Sequence, residues 1–151
     1  MTSEIGEIEL HIRREVYDSA MRCGAIPLKA DLAESLGITP ERASEALTRL
    51  ADAHQLVLQP AGGEILMANP FSAVPTPFVV HTGGRSWYGN CIWDAMGIAA
   101  MLGEEMALEA SCGCCGTAMQ LSIPRDCRDD DERVAHFAIP AARWWDNIVF
   151  N

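Results

Sequence analysis

The chain has 151 residues, of which 49% are apolar, and a formal net charge of −10 at pH 7. This size and apolar content suffice for one domain, or for a small domain joined to a modest core. The negative charge disfavours non-specific binding to nucleic acid or to an anionic membrane, because such binding depends on cationic contacts to phosphate. No apolar stretch reaches the roughly 20 residues of a membrane span and the start lacks signal-peptide features, so we expect a cytoplasmic protein with no membrane partner.

The first part of the chain predicts three helices. Apolar residues recur every four positions from Ile8 to Ala20, which indicates one buried stripe of a helix that ends near Gly24. Further along, Thr39 and Pro40 have the pattern of an N-cap followed by a proline at the first helical position. The three predicted helices cover 7–21, 30–36 and about 40–53.

Two short apolar runs on either side of Gly62 and Gly63 predict a β-hairpin after the third helix. Three helices and a hairpin are the elements of a winged helix-turn-helix, so residues 1–68 are interpreted as a unit of that kind. Residues 1–63 carry ten acidic side chains against six Lys and Arg. Because a DNA-reading face would be basic, we interpret the unit as a structural or dimerising module without a nucleic-acid partner, and a homodimer is one expected state.

Residues 69–151 are predicted to form a small mixed β-sheet core with helices, which makes the chain α+β in class. Three prolines within 69–78 indicate an ordered crossing between the two units. A helix predicted from Cys91 to about Leu102 is apolar all round and is therefore expected to be buried. The acidic run 129–132 is expected to be a solvated loop. The predicted strands cover 78–81, 108–111, 118–123, 135–139 and 147–150.

Cys91 and Asp94 form the sharpest candidate site. One helical turn separates them, so a thiol and a carboxyl share a face at the predicted N-terminus of a helix. Backbone N–H groups and the helix dipole favour a thiolate there, so Cys91 is expected to be the most acidic of the six thiols. A carboxyl beside a buried thiolate should hold its proton and be able to deliver it. The alternative is a small buried cysteine with Asp94 as a capping residue.

Three more thiols lie in a glycine-flanked turn, at Cys112, Cys114 and Cys115. In a reducing cytoplasm such thiols are metal ligands, nucleophiles or free groups rather than disulfides. Their spacing suits ions that accept two thiolates, such as Cu(I) or Hg(II), better than tetrahedral zinc. Metal or redox chemistry is therefore favoured over packing, whereas Cys23 and Cys127 are interpreted as incidental.

The sequence around these cysteines resembles the organomercurial (alkylmercury) lyase family. The resemblance rests on the aromatic-rich segment 87–94, W-Y-G-N-C-I-W-D, and on Ser111-Cys112 followed by a strand over 119–122. The family has a winged-helix-like unit followed by a mixed-sheet core, in the same order as this chain. The match covers most of the sequence.

The resemblance implies protonolysis of a carbon–mercury bond, which gives a hydrocarbon and Hg(II). The expected partners are a small organometallic substrate and small thiols, with no cofactor required and with Hg(II), or another soft metal, as the bound ion. By the same resemblance Cys91 corresponds to the first mercury-binding thiol, Asp94 to the carboxyl that shuttles the proton and helps to hold Hg(II), and Cys112 to a mainly structural thiol.

One departure from the family pattern leaves two hypotheses. The family's second catalytic cysteine follows a Phe on a late strand, and here the sequence ends one residue beyond Phe150. Either the chain is a shortened form without that thiol and a closing strand, or Cys114 or Cys115 supplies the second thiol. The shortened form would be a non-catalytic soft-metal binder or sensor, whereas a second thiol from Cys114 or Cys115 would make the protein a lyase. The predicted metal ligands are Cys91, Asp94, Cys112, Cys114 and Cys115, and the predicted catalytic pair is Cys91 and Asp94.

Overall fold

The computed structural model describes residues 5–125 and 134–149, and its helices and antiparallel sheets confirm the α+β class. The helices are α1 (Glu7–Cys23), α2 (Lys29–Leu36), α3 (Pro40–Asp52) and α4 (Ile92–Leu102), with a 3-10 helix at Ala141–Asp146. The strands are β1 (Val57–Leu58), β2 (Ile65–Ala68), β3 (Phe71–Ser72), β4 (Val79–Thr82), β5 (Arg85–Tyr88), β6 (Met106–Ser111) and β7 (Ala118–Ile123). Within these ranges no helix combines the length and the apolar character needed to cross a membrane.

The three N-terminal helices pack around their own apolar cluster, followed by the small sheet β1-β2-β3. Ile12 and Val16 of α1 and Leu47 of α3 are fully buried, as the four-residue apolar period of α1 predicts. The observed helices begin and end within two residues of the predicted bounds. The assignment of this unit to the winged-helix class, and its boundary near residue 68, stay predictions.

The second sheet has the order β5-β4-β6-β7, and every pairing within it is antiparallel. The prediction of a mixed sheet is therefore wrong for the described strands, because tight turns join β4 to β5 and β6 to β7. On β6 the residues Met106, Leu108 and Ala110 are buried and alternate with exposed neighbours. This alternation turns one face of the sheet towards α4 and leaves the other face to solvent.

Two predictions for the later part of the chain are wrong. Residues 135–139 have irregular backbone instead of a strand, and residues 147–149 form a bend and turn. Between them Arg143 N–H donates to Pro140 O at 2.9 Å, and the Arg143 guanidinium pairs with Asp146 at 2.9 Å, which supports the 3-10 helix. Short apolar runs cannot by themselves distinguish a strand from other buried structure. The acidic run 129–132, Cys127 and Phe150 lie outside the described residues.

Helix α4 is not buried all round, as its apolar sequence predicted. Its Ala95 and Ile98 are fully buried, but 58% of Trp93 and 47% of Met101 are exposed. Trp93 lines a cavity over β6 and β7. Apolar composition therefore predicted the helix correctly but not which of its faces is covered.

Helix α1 also packs against the second sheet. Trp87 is fully buried on β5, and its indole N–H donates to Ala20 O at 2.7 Å. At the end of α1, Gly24 has φ 72°, and a Cβ there would collide with Ser86 O. The two predicted units therefore share α1 as a common packing element, which positions the N-terminal unit beside the start of α4.

Candidate active site

The N-terminus of α4 is positioned by the segment that joins it to β5. Cys91 is the N-cap in an extended conformation, and Ala95 N–H donates to Cys91 O at 3.0 Å. Gly89 packs so closely on the first turn that a Cβ there would lie 2.6 Å from Ala95 N. Thr76 Oγ1 donates to Gly89 O at 2.6 Å and holds the same segment from the other side. Close backbone packing of this segment therefore fixes the position of Cys91 at the start of α4.

We expect Gly89→Ala to destabilise the protein by about 1–3 kcal/mol, the usual cost of overpacking a close contact. The added methyl would meet backbone atoms of Ala95, which cannot rotate away as a flexible side chain can. Urea unfolding measures the change. Gly113→Ala is the matched control, because nothing lies within 4 Å of a Cβ at that position. Equal stability of the two variants would contradict the packing described here.

The Cys91 thiol is half-buried and lies beside the Asp94 carboxyl. Burial raises the pKa of Cys91 and is the largest effect, while the backbone N–H groups of Asp94 and Trp93 lower it and the charge of Asp94 raises it. The thiol makes no capping hydrogen bond of regular geometry. The expectation that Cys91 is the most acidic thiol is therefore wrong, because desolvation outweighs the field of the helix N-terminus.

The Asp94 carboxyl is more buried than an ordinary surface aspartate. Burial raises the pKa of Asp94, and hydrogen bonds with the Asn90 and Cys91 side chains lower it by less. This direction agrees with the expectation from the sequence. A carboxyl that keeps its proton more readily than usual, in contact with a thiol, is suited to act as a general acid.

Asn90 is a site residue that the sequence reasoning missed. Its Nδ2 donates to Asn69 Oδ1 at 3.0 Å and lies 3.3 and 3.4 Å from the carbonyl oxygens of Pro70 and Phe71. The same side chain lies near Asp94 and lowers the pKa of its carboxyl, and the Asn90 Oδ1 is buried without a hydrogen-bond partner among the described residues. Asn90 thereby ties the carboxyl to the crossing segment after β2. Its position directly before the N-cap Cys91 is the signal that could have found it, since side chains there lie beside the first turn of the helix.

Helix α1 contributes Tyr17 to the same region. The Tyr17 hydroxyl donates to Asn69 O at 2.8 Å. Burial raises the pKa of Tyr17, nearby Arg13 lowers it, and the negative charge of Asp94 raises it further. The phenol therefore lies within electrostatic reach of the carboxyl, so the N-terminal unit forms part of the surroundings of Cys91 and Asp94.

The other three predicted ligands lie on the turn between β6 and β7. Cys112 is partly buried, whereas Cys114 and Cys115 are exposed. The Cys115 Sγ lies 3.1 Å from Thr117 Oγ1. This hydroxyl, the backbone N–H of Thr117 and the Cys112 thiol together lower the pKa of Cys115. Of these two thiols, Cys115 on the hairpin turn has the lowered pKa and Cys91 at the helix N-terminus the raised one.

A cavity of about 1010 Å³ lies between α4 and the apolar face of β6 and β7. Its lining includes Trp93 and Met96 of α4 and, at one end, Cys112 and Cys114, but it includes neither Cys91 nor Asp94. At 100° per residue, Asp94 points away from the row of α4 side chains that faces the cavity. The cavity therefore lies beside the thiol turn and is separate from the thiol–carboxyl pair.

The structure does not gather the five predicted metal ligands into one set. In the ranges 5–125 and 134–149, no three His, Cys, Asp or Glu side chains converge so that they could hold a metal ion. Cys91 and Asp94 form one group, and Cys112 and Cys115 form another. The arrangement in which Cys114 or Cys115 joins Cys91 is not formed in this structure.

Thiol titration distinguishes the two groups. Among variants that keep one cysteine each, we expect the Cys91 thiol to titrate above the unperturbed value of about 8.5 and the Cys115 thiol below it. The reason is burial at Cys91 and donation from Thr117 at Cys115. Alkylation rates measured against pH give both values. The reverse order would show that the helix N-terminus dominates over burial.

The fold and the site define an α+β protein with a thiol and a carboxyl paired at the start of helix α4, which is buried on one face. The model of the alkylmercury lyase family matches residues 71–150, which is more than half of the sequence. The chain therefore belongs to the alkylmercury lyase family, as the sequence resemblance indicated. No curated protein matches the chain.

One solved structure with the same fold is the crystal structure of the mercury-bound form of MerB2. It matches with a TM-score of 0.63 and 20% identity, covering 81% of this chain and 58% of that chain. This chain thus spans less than two thirds of the length of that structure. At this identity the likeness shows a shared fold.

Proposed function

We propose that the protein cleaves the carbon–mercury bond of small organomercurials by protonolysis. The observation that supports this activity is the proximity of the half-buried Cys91 thiol to the partly buried Asp94 carboxyl, in a chain of the alkylmercury lyase family. The fold shared with a mercury-bound structure agrees with it. A reducing cytoplasm would keep Cys91 free to bind the metal.

In the proposed reaction Cys91 captures the metal and Asp94 supplies the proton. The Cys91 sulfur displaces an anionic ligand from R–Hg–X, forms a sulfur–mercury bond and loses its proton to solvent. The Asp94 proton then adds to the carbon while the carbon–mercury bond breaks, and the electron pair of that bond forms the new C–H bond. Hg(II) stays on Cys91 and the Asp94 carboxylate, and no oxidation state changes.

A second thiolate on mercury would raise the electron density on the carbon and help the proton to add. Cys114 and Cys115 lie on the β6–β7 turn, in the group separate from Cys91. We propose that a small soluble thiol takes this ligand position and later removes Hg(II). Asn90 would hold Asp94 in place, and its buried Oδ1 is an acceptor that the protonated carboxyl could use.

The direct test is incubation of the purified protein with a phenylmercury salt and excess small thiol. We expect benzene to accumulate over several turnovers, in proportion to the protein added, together with thiol-bound Hg(II). Gas chromatography of the headspace measures the hydrocarbon. Mercury bound stoichiometrically without any hydrocarbon would defeat the lyase proposal and favour the alternative, a non-catalytic soft-metal binder or sensor.

A further inference from the structure

The turn between β6 and β7 carries thiols that the proposed reaction does not use. We propose that Cys112 and Cys115 form a second, two-thiol binding site for a soft, thiol-seeking cation such as Hg(II). This site is separate from Cys91 and Asp94 and does not depend on the lyase activity.

Backbone hydrogen bonds hold the two cysteines in one compact turn. Cys112 N–H donates to Thr117 O at 2.9 Å, and Gly116 N–H donates to Cys112 O at 2.8 Å. Gly116 closes the turn with φ 70°, a conformation that favours glycine. The Gly116-to-Cys112 hydrogen bond closes a single helix-like turn, in which residues three apart, such as Cys112 and Cys115, lie on one side. The turn therefore holds the two cysteines near each other before any ion binds, which reduces the entropy cost of binding.

The surroundings of Cys115 suit a metal-bound thiolate. The Thr117 hydroxyl lies 3.1 Å from Cys115 Sγ and can donate a hydrogen bond to the charged sulfur. Cys115 is exposed and Cys112 is partly exposed, so an ion can reach both sulfurs without unfolding of the hairpin. The site is thus open to an ion from solvent and offers two sulfur ligands, one of which can accept a hydrogen bond from the Thr117 hydroxyl.

The number of ligands selects the class of cation. Two thiolates suit a soft ion of low coordination number, such as Hg(II) or Cu(I), whereas structural zinc takes four ligands. For metal–sulfur bonds of about 2.3 Å, two sulfurs on opposite sides of one ion lie about 4.6 Å apart. Two cysteine side chains three residues apart in one turn can reach this separation by rotation of their χ1 angles. Each Hg(II) replaces two thiol protons, which go to solvent, and no electrons are transferred.

The experiment uses the full chain with Cys91→Ser, so that the proposed lyase site cannot hold mercury. The reduced protein is mixed with mercuric chloride and an excess of a small monothiol, and retained mercury is counted by native mass spectrometry. We expect one tightly held ion. Adding Cys115→Ser should weaken retention by about 10²-fold or more, because two linked ligands outcompete single thiols by such factors.

Cys114→Ser in the same background is the matched control, because Cys114 lies in the same turn and is also exposed. It should retain mercury as well as its parent. Cys112→Ser should lose mercury, and an unchanged circular dichroism spectrum confirms that the hairpin has folded. Retention that survives loss of Cys115, or that falls equally when Cys114 is replaced, would overturn the assignment of the pair. Oxidation to a disulfide would appear as the loss of two mass units before mercury is added.

Discussion

Asp94→Asn should reduce turnover of a phenylmercury salt by about 10²–10⁴-fold, the range usually contributed by a positioned general acid. The amide keeps the shape of the side chain and its contact with Asn90, but it has no proton to give to the carbon. Mercury should still bind at Cys91, since the thiol supplies the strong bond. Binding and turnover are therefore expected to separate in this variant.

Benzene release and retained mercury, measured on the same samples, test that separation. Asp52→Asn is a suitable control, because Asp52 is an exposed carboxyl at the end of α3. It should match the unmodified protein in both measurements. Turnover that persists in Asp94→Asn would show that another group, or water, delivers the proton.

Cys91→Ser should abolish turnover and also remove one bound mercury ion. A hydroxyl oxygen is a hard, weakly nucleophilic ligand, whereas mercury prefers soft thiolate sulfur. Serine is close to cysteine in size, so the half-buried position should tolerate it and the fold should persist. Hydrocarbon release is expected to fall to the level of the protein-free reaction.

The control for this variant is Cys23→Ser, which replaces an exposed thiol whose sulfur lies 3.2 Å from Ser19 O in the last turn of α1. That protein should keep full turnover. Mercury counted by native mass spectrometry should fall by one ion in Cys91→Ser, and the ion on the hairpin pair should remain. Unchanged turnover in Cys91→Ser would remove Cys91 from the mechanism.

The local features of the fold were predictable because short-range patterns determine them. The apolar period of α1 with Gly24 at its end, and the Thr39 cap of α3, each act within a few residues, and the helices formed close to the predicted bounds. The strands β6 and β7 likewise follow from alternation and an intervening turn. The strands predicted at 135–139 and 147–150 were wrong, because strand formation depends on pairing partners that a single short apolar run does not reveal.

The sequence by itself determined that Cys91 and Asp94 meet, because three residues in a helix bring two side chains to one face. Only the tertiary structure decided their proton affinities. Burial depends on what α1 and the crossing segment place around the helix start, and burial raises the pKa of both groups. The role of Asn90 was also decided by the tertiary structure, because its hydrogen-bond partner Asn69 is distant in sequence.

The relation between the two thiol groups was also decided by the tertiary structure. Spacing along the chain shows that Cys112, Cys114 and Cys115 are close to one another, but it carries no information on their distance from Cys91. The hairpin of β6 and β7 places the turn at one end of the apolar cavity, while Cys91 and Asp94 lie outside the lining of that cavity. Local geometry therefore formed each group, and among the described residues the packing of α4 on the sheet does not bring three of these side chains into one metal site.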